Sequence, residues 1–254
     1  KSVQEHISNQ KAIIGARTNN SEMIFDVQGS SLTGQGTAVS NLFCPRNAGL
    51  SGSGFGGNNK LKPIFINNRI DKFDNRFQNS IITEYETSTR QFNINPWSTG
   101  YVPTNTETGN TLGTLWQVWT AKYIDTEATT EYTSRQNWHI IRLADVYLMR
   151  AEANAEIFGN PAAANDDINI LRTRVEMDEI DYNGMDISSF REEILRERAV
   201  ELYMEGHRFF DITRFGVYDE YCRFIYGNVD GARQPEDYLW PIPIIEVSTN
   251  SEID

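Results

Sequence analysis

Cysteine, histidine and positive charge are all scarce in this chain. Its 254 residues hold two cysteines, Cys44 and Cys222, and three histidines, His6, His139 and His207. Two cysteines make no disulfide framework, and pairing stays open because sequence does not say whether their Cα atoms come within bonding reach. Neither cysteine lies beside a second cluster of ligand-type residues, so no metal site and no cofactor is expected. The histidines are far apart and lack a local partner; His139, beside Trp138, reads as a core residue at a helix start. No Gly-x-Ser-x-Gly or His-Glu-x-x-His pattern is present. Lys and Arg number 23 against 35 Asp and Glu, a net charge of -12. That balance argues against nucleic acid or anionic lipid as a partner. No run approaches the ~20 apolar residues that span a bilayer. Direct membrane insertion by this portion is therefore not expected.

What is present divides by composition into a polar, loop-rich first half and a helical second half. The expected fold is mainly α: tetratricopeptide-like helical hairpins with long loop-rich segments and a few short strands. Residues 1–20 read as the end of a preceding helical segment. Residues 21–135 form a loop-rich region with short strands, one of them over 22–27, and make the candidate ligand platform. Residues 136–254 form a helical-repeat scaffold and a C-terminal return segment. Gly52, Gly54, Gly56 and Gly57 crowd one long loop. No Lys-Ser/Thr pair closes them, so they have no phosphate-loop character, and flexibility is the plainer reading.

From Ile140 the apolar period becomes helical. Ile140, Ala144, Leu148, Ala151, Ala155 and Phe158 fall at spacings of four and three. Trp138 opens this helix. Gly159-Asn160-Pro161 stops it and restarts the chain, since proline suits a first helical turn. Ala164, Ile168, Leu171 and Val175 repeat the stripe. Helix, short turn, helix with small residues at the crossing is the tetratricopeptide plan, although Glu152 occupies a position where the repeat wants a small residue. A generic helical hairpin is the alternative. Ser189 and Glu192 make an S-x-x-E capping box for a further helix.

The most conspicuous charge cluster runs over residues 197–216. Glu197, Glu201 and Glu205 stand at i, i+4 and i+8, which places three carboxylates on one side of a helix. Like charges so placed need cations, and Arg198, Arg208 and Arg214 are the local candidates. A carboxylate-bridged metal bundle would need Glu-x-x-His turns, and the one nearby imidazole, His207, is misplaced. A catalytic pair needs surroundings that push two pKa values apart, whereas neighbouring arginines hold every carboxylate ionised. Glu197, Arg198, Glu201, Glu205, Arg208, Asp211 and Arg214 therefore read as a structural ion-pair cluster, and no catalytic residue is assigned.

The same run, Glu-Arg-x-x-Glu-Leu-x-x-Glu-Gly-x-Arg-x-x-Asp-x-x-Arg-x-Gly, resembles the C-terminal signature of the SusD/RagB family. Other pieces fall in that family's order. Glu22 to Phe25 looks like its early strand, Asp74-Asn75-Arg76 like its Asp-x-Arg turn, and Lys122-Tyr123 like its Lys-Tyr strand. Ile141 to Ala153 is similar to its long helix, and Leu239-Trp240-Pro241-Ile242-Pro243 to its closing segment. The resemblance covers roughly residue 20 to the end. It implies a glycan-binding subunit of the Bacteroidetes cell surface, held to the outer membrane by an N-terminal lipid and partnered with a TonB-dependent, SusC-like transporter. Members of this family are usually about twice as long. Lys1 to His6 has no apolar segment behind a basic one, and no lipobox precedes either cysteine. The chain is thus expected to be a C-terminal half, with the anchor outside it.

An oligo- or polysaccharide offers hydroxyls for hydrogen bonds and flat C–H faces for stacking, so its site presents exposed aromatics beside amides and charges. Trp97, Tyr101 and Tyr85, set among Asn93, Asn95, Thr99 and Thr104, supply that mixture. The turn chemistry of 95–100 would hold Trp97 at a loop tip. The alternative is that Trp97 plugs a gap under its own loop. The resemblance favours a binding role, because the family's stacking aromatics come from loops ahead of the long helix. Phe55 and Asn95 complete the candidates. Trp116, Trp119 and Tyr123 read as packing residues, and Trp240 as structural. Two further readings remain: a portion that docks the transporter without touching sugar, and a glycoside hydrolase.

Overall fold

A computed structural model describes residues 21–32, 34–45, 59, 61, 73–82, 84–87, 90–93, 119–128, 130, 132–221 and 242–250, with backbone alone over 84–87 and 90–93. The chain divides into two compact units, Lys1–His207 and Arg208–Asp254. The expected division at 135/136 falls inside the first of them. The fold is mainly helical, with a few short strands.

In the first unit, β1 (Met23–Val27) runs antiparallel to β6 (Trp138–Arg142), with Phe25 opposite Ile141 and Asp26 opposite His139. This pairing joins the loop-rich region to the helical one. Between them lie α1 (Val39–Phe43), α2 (Asn75–Ser80), β2 (Ile81–Ile82), β3 (Glu84–Thr87), β4 (Arg90–Asn93) and β5 (Trp119–Thr120). The Asp74 side chain caps α2 by accepting the Arg76 N–H. β2 pairs with β5, and all four of their residues are buried. Trp119 and Tyr123 are core residues. Tyr123, Phe43 and Trp138 form a three-ring cluster: Tyr123 stacks on Trp138 at 5.4 Å and meets Phe43 in a tilted pair at 4.7 Å, and Phe43 and Trp138 lie 5.8 Å apart.

The helical hairpin follows. β6 leads into α3 (Leu143–Phe158), then a 3-10 turn (Pro161–Ala164), α4 (Asn165–Arg174) and α5 (Ile187–Glu201). Ala144, Leu148, Ala151 and Ala155 are buried on α3, and Ile168 and Leu171 on α4, as the stripes require. Two ends of the first stripe do not belong to it. Ile140 lies in β6, because Trp138–Arg142 is strand and the helix opens only at Leu143. Phe158, in the last turn, is exposed. Trp138 and His139 accordingly sit on a strand rather than at a helix start. His139 Nδ1 lies 3.2 Å from Asp26 Oδ1 across the sheet.

Gly159 ends α3 in the left-handed region, φ 60°, and Asn160 donates its N–H back to the Ala155 carbonyl at 3.1 Å. The Asn160 side chain then caps the 3-10 turn that Pro161 begins. α5 opens two residues before the expected capping box. Asp186 takes the N–H of Ser189 at 2.9 Å and its hydroxyl at 2.7 Å, so the carboxylate displaces serine as cap. Ala151, Ala155 and Ala164 are fully buried where the hairpin closes. Ala151→Leu should therefore overpack the crossing and cost about 1–3 kcal/mol in urea denaturation.

The second unit contains α6 (Arg208–Arg214) and α7 (Ile244–Thr249). Among the described residues, no helix is long and apolar enough to cross a membrane. Cys44 is a buried free thiol, and burial pushes its pKa up to about 12. Cys222 lies outside the described residues, as do Trp116 and Trp240.

Candidate functional site

The carboxylates of the 197–216 run do not all stand on one helix. Glu197 and Glu201 lie on the last two turns of α5, which ends at Glu201. Glu205 sits in the turn that follows, where Met204 and Gly206 adopt φ values of 61° and 91°. The left-handed Met204 is held by the Tyr123 hydroxyl, which donates to its carbonyl at 3.1 Å. That reversal turns Glu205 inward, beside Glu201.

Their cations come from distant elements. Arg142, the last residue of β6, uses all five of its N–H donors. Nε donates to Glu205 Oε2 at 2.7 Å, Nη1 to Glu22 Oε1 and Glu201 Oε1 at 2.8 Å each, and Nη2 to the Glu201 carbonyl at 2.8 Å and Glu205 Oε1 at 3.0 Å. Arg174 reaches Glu201 at 2.6 Å and Glu22 at 2.9 Å. Arg76, gripped along its Nε and Nη2 edge by Asp74, puts Nη1 at 2.5 Å from Glu197 and 3.3 Å from Glu201. Arg172 stands 3.6 Å from Glu197. Lys122 gives its three protons to Glu205 Oε1 at 2.7 Å, the Glu201 carbonyl at 2.9 Å and the Tyr203 carbonyl at 3.1 Å. Its ammonium also lies 3.9 Å from the centre of the Tyr203 ring.

Five cations, Arg76, Lys122, Arg142, Arg172 and Arg174, thus face five carboxylates, Glu22, Asp74, Glu197, Glu201 and Glu205. Burial alone would raise the Glu201 and Glu205 pKa values. Arg142 and Arg174 instead hold Glu201 well below the usual carboxylate range, with Arg76 assisting. Arg142 and Lys122 bring Glu205 to about 2. Burial lowers Lys122, with Arg142 adding to that, while Glu205 opposes it. A general acid at neutral pH needs a raised pKa, so Glu201 and Glu205 are unsuited to one. They are suited to locking β1, α2, β5, β6, α4 and α5 together. Among the described residues, no group of three or more His, Cys, Asp or Glu is arranged to hold a metal ion.

The local arginines have other tasks. Arg198 pairs with Asp145 at 2.9 Å, tying α5 to α3. In the second unit, Arg214 reaches Asp211 at 3.2 Å, and the Arg208 guanidinium lies 4.5 Å from the Tyr221 ring centre. Sequence spacing makes Arg198, Arg208 and Arg214 only the local candidates for the three glutamates. The signal for the real partners was present in the short motifs: Lys122 beside Tyr123, Arg142 between Ile141 and Leu143, and Arg76 after Asp74 are charges set in apolar or turn contexts.

Of the carbohydrate-binding candidates, Tyr85 lies in β3, opposite Phe92 of β4 in an antiparallel pair. Phe55, Asn95, Trp97 and Tyr101 lie outside the described residues, as do Gly52, Gly54, Gly56 and Gly57. The β3–β4 hairpin leads directly toward Asn95 and Trp97 in sequence.

Comparison with known proteins agrees with this architecture. The sequence profile of the SusD family matches residues 62–254. SusD-like protein P25 of Formosa agariphila is 37% identical over 134 residues, 50% of this chain and 25% of the relative. The starch-binding protein SusD of Bacteroides thetaiotaomicron is 33% identical over 116 residues, 44% of this chain and 19% of the relative. A solved structure of a laminarin-binding SusD-like protein superposes with a TM-score of 0.63 at 24% identity, covering 94% of this chain and 50% of that one. The chain therefore spans about half the length of that structure and aligns with about a quarter or less of those two curated relatives. On the match that takes in three-quarters of its length, the chain belongs to the SusD family.

Proposed function

We propose that this protein captures glycans at the bacterial cell surface, without cleaving them, and delivers them to a TonB-dependent outer-membrane transporter. The observation that carries the reading is family membership over residues 62–254, joined by relatives named for starch and laminarin binding. The division of labour within the chain fits. The buried charge network is consumed by the fold, which leaves recognition to the loops ahead of the helical hairpin. In this reading Trp97, Tyr101 and Tyr85 stack sugar rings, Asn95 hydrogen-bonds hydroxyls, and Phe55 adds apolar contact. A lipid on a preceding segment holds the protein at the outer membrane.

Calorimetric titration of wild type and Trp97→Ala with a glycan panel tests the assignment. The substitution should weaken binding by up to about tenfold, the upper end of the ~0.5–1.5 kcal/mol of an aromatic contact, while leaving the melting temperature in place. Unchanged affinity for the bound sugar would remove Trp97 from the site. Failure to bind any glycan, with retention of the transporter complex in a pull-down, would favour a protein-docking role instead.

A further inference from the structure

Among residues whose side chains are described, Tyr132 is the only tyrosine or tryptophan of the exposed class, at 58%. An exposed aromatic on a loose loop would mean little. The backbone beside this one is held in place. The Thr133 hydroxyl accepts the Thr130 N–H at 2.9 Å and donates to the Thr130 carbonyl at 3.1 Å. Gly36 lies so close behind that a Cβ there would stand 2.1 Å from the Tyr132 carbonyl oxygen. Thr37 adds a backbone bond to the Ser134 carbonyl at 3.0 Å and a hydroxyl bond to the Gln136 carbonyl at 2.8 Å. On the other side the fully buried Asp125 carboxylate accepts the Arg135 N–H at 2.8 Å and the Ser134 hydroxyl at 3.4 Å.

The same loop carries a solvent-facing charge pair, Arg135 Nη2 at 2.5 Å from Glu127 Oε2. An exposed ring on a hydrogen-bonded stretch of backbone, with a charge pair three and five residues away in sequence, offers the kinds of group that a sugar ring needs, and the held backbone lowers the ordering cost of binding. We propose that Tyr132 is a carbohydrate-stacking position, taking the C–H face of a pyranose while Arg135 and Glu127 bond its hydroxyls. The proposal rests on the glycan-capture reading and adds a contact surface separate in sequence from Trp97 and Tyr101.

The test is a glycan array, including laminarin and starch oligosaccharides, followed by calorimetry of wild type, Tyr132→Ala and Tyr132→Phe on each glycan bound. Tyr132→Ala should lose about tenfold in affinity with an unchanged melting temperature. Tyr132→Phe, which keeps the ring, should stay within roughly threefold of wild type. Wild-type binding that Tyr132→Ala leaves intact overturns the assignment while glycan capture stands. A loss of affinity matched by a fall in melting temperature also overturns it, since Tyr132 would then be structural. A wild type that binds no glycan overturns both.

Discussion

Replacing Arg142 by alanine should lower the stability of the first unit by roughly 3–5 kcal/mol, the cost of breaking a buried ion pair from one side. The figure follows from where the guanidinium sits. It is 2% exposed, and each of its five N–H groups has an acceptor. Its removal leaves Glu201 with Arg174 and Arg76, and Glu205 with Lys122 alone. Arg142→Lys should recover little. An ammonium is a point charge with three donors and cannot span Glu22, Glu201 and Glu205 together. Urea denaturation followed by circular dichroism reads both variants. The exposed Arg191–Glu156 pair is the control. Its loss should leave the midpoint nearly unchanged, because solvent screens such pairs.

Acid should unfold the protein through the same network. Glu205 has a folded-state pKa of about 2 against an ordinary value of 4.5. Glu201 is displaced in the same direction. A carboxylate depressed by folding contributes stability that is fully present above its unfolded pKa and is lost as pH falls toward the folded value. For Glu205 the contribution is about 3 kcal/mol, lost across the window from about 4.5 down to about 2. The groups facing it, Arg142 and Lys122, are cations, so protonating Glu205 leaves buried positive charge without its counter-ion. Urea midpoints measured from pH 6 to pH 2 should fall steeply in that window. Glu205→Gln should be less stable at pH 7 and show a shallower fall. Added salt should change little, because buried pairs are weakly screened. A flat profile would mean that Glu205 titrates as it does in the unfolded chain.

The helical hairpin was legible because its information is local. Ala144, Leu148, Ala151 and Ala155 repeat at helical spacing, and Gly159 and Pro161 mark a stop and a start. The charge network was legible only by halves. Three glutamates at intervals of four announced themselves, but their cations sit 59 to 125 residues from them in sequence for Arg142, Lys122 and Arg76. No periodicity links Arg76 to Glu201. Spacing therefore nominated the nearest arginines, and Arg198 instead pairs with Asp145. The same locality misread Trp138, whose strand exists because β1 lies beside it. Helical period cannot report a partner more than a hundred residues earlier. Glu205 was misread for another reason. Its i+8 spacing is helical, but Met204 takes a left-handed conformation that its own sequence does not announce.

The conspicuous charges and the proposed recognition surface thus have opposite characters. The network is largely buried, sets five cations against five carboxylates and is rich in partners. The proposed sugar contacts precede the hairpin in sequence, and Tyr132 among them is the one exposed tyrosine or tryptophan whose side chain is described. Capture without cleavage is the central claim. It is tested most directly by titrating the protein with the array-selected glycan in a calorimeter, then assaying the same cell for new reducing ends. Saturable binding with no reducing ends released is the expected result. Release of reducing ends, or no binding to any glycan, would contradict it.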